Sequence, residues 1–273
     1  MTREGATTLV DFVVQAGLAD VLSGDGPFTV FAPTNEAFAK LPQETVDALK
    51  ADPELLKNIL LYHVIPSEIK SSAITEDDVV VASAEGSKLR VNTYMKKFYY
   101  DGFLTVNGKR ISRTDVQASN GVVHFITDVI DVFANDDCTK VLTDDGRFGT
   151  LLTAVTKAGL VETLQGDGPF TIFAPTDEAF AKIPAETLNT VLEDQDLLSA
   201  TLLRHVAPQA KFHRGLVWEF LDTAGGAKIA THVFKGGQIK VVSETDGNRA
   251  KAKIVDSDLI CSNGVVHAID TVI

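Results

Sequence analysis

Six histidines and two cysteines are the side chains here best suited to proton transfer, metal binding or nucleophilic attack. His63 and His205 close the apolar stretches LLYHV and LLRHV, while His124 and His267 lie inside GVVHF and GVVHA. An imidazole in such company most simply gives its N–H to a backbone carbonyl, whereas a catalytic base must be reachable by a substrate. His213 and His232 lack the spacing of metal ligands, so no metal is predicted. Cys138 and Cys261 lack the C-x-x-C spacing of a zinc or thiol-redox site, and neither has a plausible histidine beside it in sequence. There is no G-x-S-x-G, no H-E-x-x-H and no EF-hand loop. Gly24-Asp25-Gly26 and its twin at 166–168 lack phosphate-cradle spacing and read as turns. The expectation is a protein that binds rather than catalyses, with no cofactor.

These residues recur because the chain repeats itself. Residues 24–42, GDGPFTVFAPTNEAFAKLP, match residues 166–184, GDGPFTIFAPTDEAFAKIP, at 16 of 19 positions. LLYHVIP at 60–66 faces LLRHVAP at 202–208, and SNGVVHFITDVI at 119–130 faces SNGVVHAIDTVI at 262–273. A period near 142 is far longer than a solenoid unit, so each copy needs its own core. Two tandem domains are predicted, 1–134 and 137–273, meeting at the polar stretch Ala134-Asn135-Asp136-Asp137.

Within a copy, Leu9, Val10, Val13 and Val14 trace a helical stripe that Gly17 can end. Phe28–Phe31 is a short buried strand stopped by Pro33, and Thr34 is placed to cap the next helix. Leu55, Leu56, Ile59, Leu60 and His63 share a second helical face, from which Tyr62 is rotated by about 100° toward solvent. From Val79 onward the runs are short and β-rich, with Asn107-Gly108 as a hairpin turn. The NGVVH strand is apolar on both sides and is therefore predicted to be central. Helices first and strands after give an α+β class.

Composition narrows the partners. With 45% hydrophobic and 23% charged residues the chain should fold, and a net charge of −12 argues against nucleic acid, whose binding rests on Lys and Arg displacing counterions. The charge divides as −7 and −5 between residues 1–136 and 137–273, so neither half is basic. No apolar run is long enough to span a bilayer, Met1–Ala6 contains no apolar signal segment, and no N-x-[ST] sequon occurs.

FTVFAPTNEAF and NGVVHFITDVI, with LLYHV between them, resemble the two signature blocks and the Tyr-His element of fasciclin-like (FAS1) domains, in both halves of the chain. The resemblance implies two tandem domains, each a β-wedge covered by helices, in a secreted or cell-surface protein of adhesion and extracellular matrix. It implies integrin-like receptors or matrix proteins as partners. It also implies binding roles for Tyr62 and His63 and for the pair Asp115-Val116, with Asp258-Leu259 as the second copy's pair and Arg204 in place of the tyrosine. An Asp at such a position often simply accepts turn hydrogen bonds. In an extracellular setting Cys138 and Cys261 are candidates for a disulfide, worth about 4–5 kcal/mol by chain entropy; Ala118 rules out its counterpart in copy one. The aromatics Tyr94, Phe98, Tyr99, Tyr100 and Phe103, interrupted by Lys96 and Lys97, have no counterpart in copy two. They suit a buried wedge strand or an apolar groove, and the groove reading makes the protein a carrier of an apolar small molecule such as a carotenoid.

Overall fold

A computed structural model describes residues 5–75, 78–94, 102–130, 136–234, 238–243 and 250–273. The chain divides into two units, Met1–Val132 and Phe133–Ile273. In unit one the strands are β1 (Phe28–Pro33), β2 (Val64–Ile65), β3 (Val79–Ala82), β4 (Lys88–Tyr94), β5 (Phe103–Val106), β6 (Lys109–Ala118) and β7 (Gly121–Ile126). In unit two they are β8 (Phe170–Pro175), β9 (Val206–Ala207), β10 (Glu219–Asp222), β11 (Lys228–Val233), β12 (Ile239–Ser243), β13 (Lys251–Cys261) and β14 (Gly264–Ile269). Each unit forms its own seven-stranded sheet, ordered β2-β1-β7-β6-β5-β4-β3 in one and β10-β11-β12-β13-β14-β8-β9 in the other.

The two signature blocks are neighbours. β1 runs parallel to β7, with Phe28 opposite Gly121 and Pro33 opposite Ile126, and β8 pairs with β14 in the same way. Both are buried along almost their whole length, so the predicted central NGVVH strand is present in each unit. Alternation along β8 divides the core. Ile172 and Ala174 face a helix-side cluster with Leu151, Val155, Leu198 and Leu202, whereas Phe173 joins Leu221, Ile229, Val241, Ala252 and Ile269 between the strands. A cluster drawing on strands from both ends of the sheet means that the sheet curls around one apolar filling. The backbone bond from Ala224 to Val206 (2.7 Å), matched by Ala84 to Val64, ties the two ends together.

Local signals were mostly met. Thr34 Oγ1 accepts the Ala37 N–H at 3.2 Å, and Gly17 (φ 67°) and Asn107-Gly108 (φ 45° and 73°) take left-handed conformations. The first helix, Thr7–Gln15, is rotated from the expected stripe: Leu9 and Phe12 are buried, while Val14 is exposed. Phe12 sets that rotation by packing edge-on against Phe38, with ring centroids 5.3 Å apart.

The Asn-Gly pair before each central strand explains why SNGVVH repeats. Asn120 Nδ2 donates to the Leu22 and Gly24 carbonyls, and Asn263 does the same to Leu164 and Gly166. A Cβ on Gly121 would stand 2.0 Å from the Phe28 carbonyl oxygen, so the parallel pairing needs glycine there.

Candidate functional site

Asp115 and Asp258 occupy β-bulges in β6 and β13, at φ 59° and 61°. Aspartate tolerates the left-handed region better than most residues. The bulge turns the Asp115 amide toward His124, whose Nδ1 accepts it at 3.2 Å, and Nε2–H donates to the Ile69 carbonyl at 2.8 Å. An acceptor role at Nδ1 puts the proton on Nε2. The carboxylate covers the start of the short 3₁₀ helix Ser71–Ala73: Oδ1 accepts the Ser71 N–H at 2.8 Å and Oδ2 the Ser71 hydroxyl. Thr29 pins the same loop, donating to the Ser67 carbonyl (2.7 Å) and accepting from Ile69 N (2.8 Å).

Unit two repeats this arrangement. His267 Nδ1 accepts the Asp258 N–H at 3.2 Å, its Nε2–H donates to the Lys211 carbonyl at 2.8 Å, and Asp258 Oδ1 accepts from His213 N at 2.7 Å. Thr171 takes the part of Thr29. Burial lowers the His267 pKa, although the Asp258 charge and the Lys211 carbonyl pull the other way. At Asp115, slight burial works to raise the carboxyl, and the Ser71 hydroxyl and amide outweigh it and hold it below its ordinary value.

Each Asp-hydrophobic pair is thus split. The Asp ties down a loop, and Val116 and Leu259 pack against the helix-side cores. The loop itself is the exposed part: Glu68, Lys70 and Ser72 in unit one, and Arg214 in unit two.

Tyr62 departs from its expected place. It is 0% exposed, donating its phenolic O–H to the Lys88 carbonyl at 3.0 Å and accepting from Asn107 Nδ2 at 2.8 Å. Its side of the helix Pro53–Tyr62 meets β4 and the β5–β6 turn, not water. His63 is buried as expected, with Nδ1–H on the Ile59 carbonyl (2.8 Å) and Nε2 accepting from Ile130 N (3.0 Å). His205 repeats this with Thr201 and Ile273, and burial, aided by the Arg204 charge, lowers its pKa to about 4. Neither Tyr62 nor His63 can touch a partner while the unit is folded.

The Cys138–Cys261 disulfide considered for an extracellular setting is not formed; both thiols are buried in the same core cluster. Cys138 opens the helix Cys138–Asp145 facing Leu142, and the Cys261 S–H points back to the Leu259 carbonyl at 3.7 Å. Of the copy-one aromatics, Tyr94 is buried against Phe103 (centroids 5.2 Å). Phe98, Tyr99 and Tyr100, with Lys96 and Lys97, lie outside the described residues. An apolar cavity of about 90 Å³ in unit two, lined by Phe180, Leu188, Val191, Leu198 and His205 among others, is smaller than the ~150 Å³ that holds benzene. Sequence reasoning did not find the loop anchors Thr29, Ser71, Thr171 and His213, although the repeated threonine of FTVFAP and FTIFAP was a visible signal. Nor did it find the exposed aromatics Trp218, Phe220 and Phe234 of unit two. Among the described residues no group of His, Cys, Asp and Glu is arranged to hold a metal.

The sequence model of one family, the Fasciclin domain, matches residues 4–132 and 146–273. Transforming growth factor-beta-induced protein ig-h3 of Sus scrofa is 33% identical over 252 residues, covering 91% of this chain and 35% of that protein. Periostin of Homo sapiens is 29% identical over 272 residues, covering 98% of this chain and 31% of periostin. The chain therefore spans about a third of the length of these relatives. Among solved structures, a FAS1 domain pair from the insect cell adhesion molecule Fasciclin I is similar at TM-score 0.47 and 20% identity, covering 99% of this chain and 97% of that one.

Proposed function

The chain belongs to the fasciclin domain family, and from that membership we propose that it is an extracellular adhesion or matrix protein that binds other proteins and performs no catalysis. The observation that carries the reading is the loop after β2 and β9, which presents exposed side chains in each unit, Glu68, Lys70 and Ser72 in one and Arg214 in the other, and is fixed by the same Thr, His and Asp contacts. Pre-ordering lowers the entropy lost on binding, which is what a protein-contact loop requires. Among the described residues, no helix is long and apolar enough to cross a membrane. The partners proposed are integrin-like receptors or matrix proteins, read by Glu68, Lys70, Ser72 and Asp115 in unit one and by Arg214 beside Asp258 in unit two. Tyr62 and His63 act in this scheme only by holding the helix that leads into the loop.

Attachment of integrin-bearing cells to immobilised protein tests the proposal. The variant Glu68→Ala/Lys70→Ala/Arg214→Ala should lose attachment at an unchanged melting temperature. Full attachment by that variant would sink the reading. A visible absorption band in natively purified protein would favour the pigment carrier instead.

A further inference from the structure

The outer face of the β10–β13 sheet in unit two carries two parallel rows. One runs Phe220, Ala230, Val242, Lys251 across four strands in direct register, with Phe220 and Lys251 exposed at its ends and Ala230 and Val242 buried between them. The other runs His232, Lys240, Lys253, and Trp218 extends it, its ring 4.8 Å from that of His232 in an edge contact. Each row begins with an aromatic ring at the sheet's edge and ends in lysine about 14 Å away, three strand spacings of about 4.8 Å. Trp218 and Phe220 are 63% and 62% exposed, and Phe234, with the Lys240 ammonium 5.0 Å above its ring, is 47% exposed. Such aromatic exposure on a sheet face marks a contact surface.

Charge indicates what covers it. Lys240 and Lys253 are directly opposite on adjacent strands, and like charges so placed repel. The described carboxylate on this face, Asp222, is occupied by Lys228 at 3.3 Å. In a chain of net charge −12, a face that gathers Lys240, Lys251 and Lys253 is complementary to an anion. Among the described residues, the matching face of unit one differs: Val80 pairs with Arg90, which is buried in an ion pair with Asp78 at 2.7 Å, Asn92 pairs with Thr105, and the aromatics Tyr94 and Phe103 pack on each other with Arg110 5.5 Å from the Phe103 ring.

We propose that this face binds an acidic polysaccharide of the uronic-acid type, its sugar faces stacked on Trp218 and Phe220 and its carboxylates over Lys240, Lys251 and Lys253. A chain of several linked sugars is long enough to stack on the edge rings and carry its later carboxylates to the lysines about 14 Å away. One carboxylate per sugar is also a far lower charge density than that of a nucleic acid, so the protein's overall negative charge opposes it less. The inference stands on unit two alone and holds whether or not the loops bind receptors.

Affinity electrophoresis of the full chain through gels containing polygalacturonate, neutral dextran, dextran sulfate or a single-stranded oligonucleotide tests it, with melting temperatures taken in parallel. Retardation by polygalacturonate is expected. It should weaken about tenfold in Trp218→Ala/Phe220→Ala, and fall similarly in Lys240→Gln/Lys253→Gln, both variants melting no lower than wild type. Neutral dextran should not retard the protein. The proposal is overturned by absence of retardation in polygalacturonate, by retardation that either double variant retains in full, or by equal or stronger retardation in dextran sulfate or the oligonucleotide.

Discussion

A phenol whose proton and lone pair are both engaged inside the fold is a structural residue, and Tyr62 is such a phenol. Tyr62→Phe leaves the Asn107 amide and the Lys88 carbonyl short of a partner, which should lower stability by about 1–3 kcal/mol while leaving cell attachment intact below the melting point. Urea titration followed by circular dichroism measures the first, and an attachment assay the second. Asp115 differs in kind, since its backbone is left-handed and its carboxylate caps the loop. Asp115→Ala should cost about 1–2 kcal/mol through the lost cap and the unfavourable φ, and Asp115→Asn should recover most of it; equal stabilities would refute the cap. The pH response of unit two draws on two buried imidazoles, His267, whose pKa burial lowers, and His205, whose folded-state pKa of about 4 lies below the unfolded value near 6.5. The unfolded chain therefore binds the extra proton, and this contribution is fully present above about pH 6.5 and is lost as pH falls toward 4, by up to about 3 kcal/mol. Trp218, the one tryptophan, reports on unit two. Its urea midpoint should drop between pH 7 and 4.5, and a flat midpoint would show that neither imidazole is held neutral.

At the scale of elements, the repeated blocks are chiefly a record of packing. Gly121 and Gly264 admit the β1 and β8 backbones so closely that Gly121→Ala or Gly264→Ala should prevent the affected unit from folding, without harming the other. Soluble yield and one missing unfolding transition would register this; two intact transitions would contradict it. The central NGVVH strands, the hairpin at Asn107-Gly108 and the Thr34 cap were legible because each depends on local residue type, whereas their parallel pairing with β1 and β8 was not. Tyr62 was not, because helical periodicity gives an angle but not what lies across it. Its flank meets a second layer, the β4 strand and the β5–β6 turn, far along the chain. The first helix was misphased for a related reason: its rotation is fixed by the Phe12–Phe38 contact, not by its valines. The disulfide was misjudged because loop length sets the entropy of closure and says nothing about where two sulfurs point. The outer aromatic face of unit two was hidden because Trp218 and Phe220 become a surface only when β10 pairs with β11 in register.

As a whole, the molecule is one design used twice with different surfaces. Both units keep the Thr, His and Asp framework that fixes the loop, while the outer sheet face carries a buried Arg90–Asp78 ion pair in one and the exposed rings of Trp218 and Phe220 in the other. Such divergence is possible because each unit closes its own sheet and fills its own core, so surface changes in one need no compensation in the other. Domains of about 130 residues with a complete core are of a size that folds alone. Residues 1–132 and 133–273, produced separately, should therefore each unfold cooperatively in urea. Unit two's midpoint by Trp218 fluorescence should match that in the full chain, and its retention by polygalacturonate should persist, whereas the first piece should not be retained. A piece that fails to fold would show that the two units do not fold independently, and polygalacturonate binding that resides in residues 1–132 would show that the binding face is not in unit two.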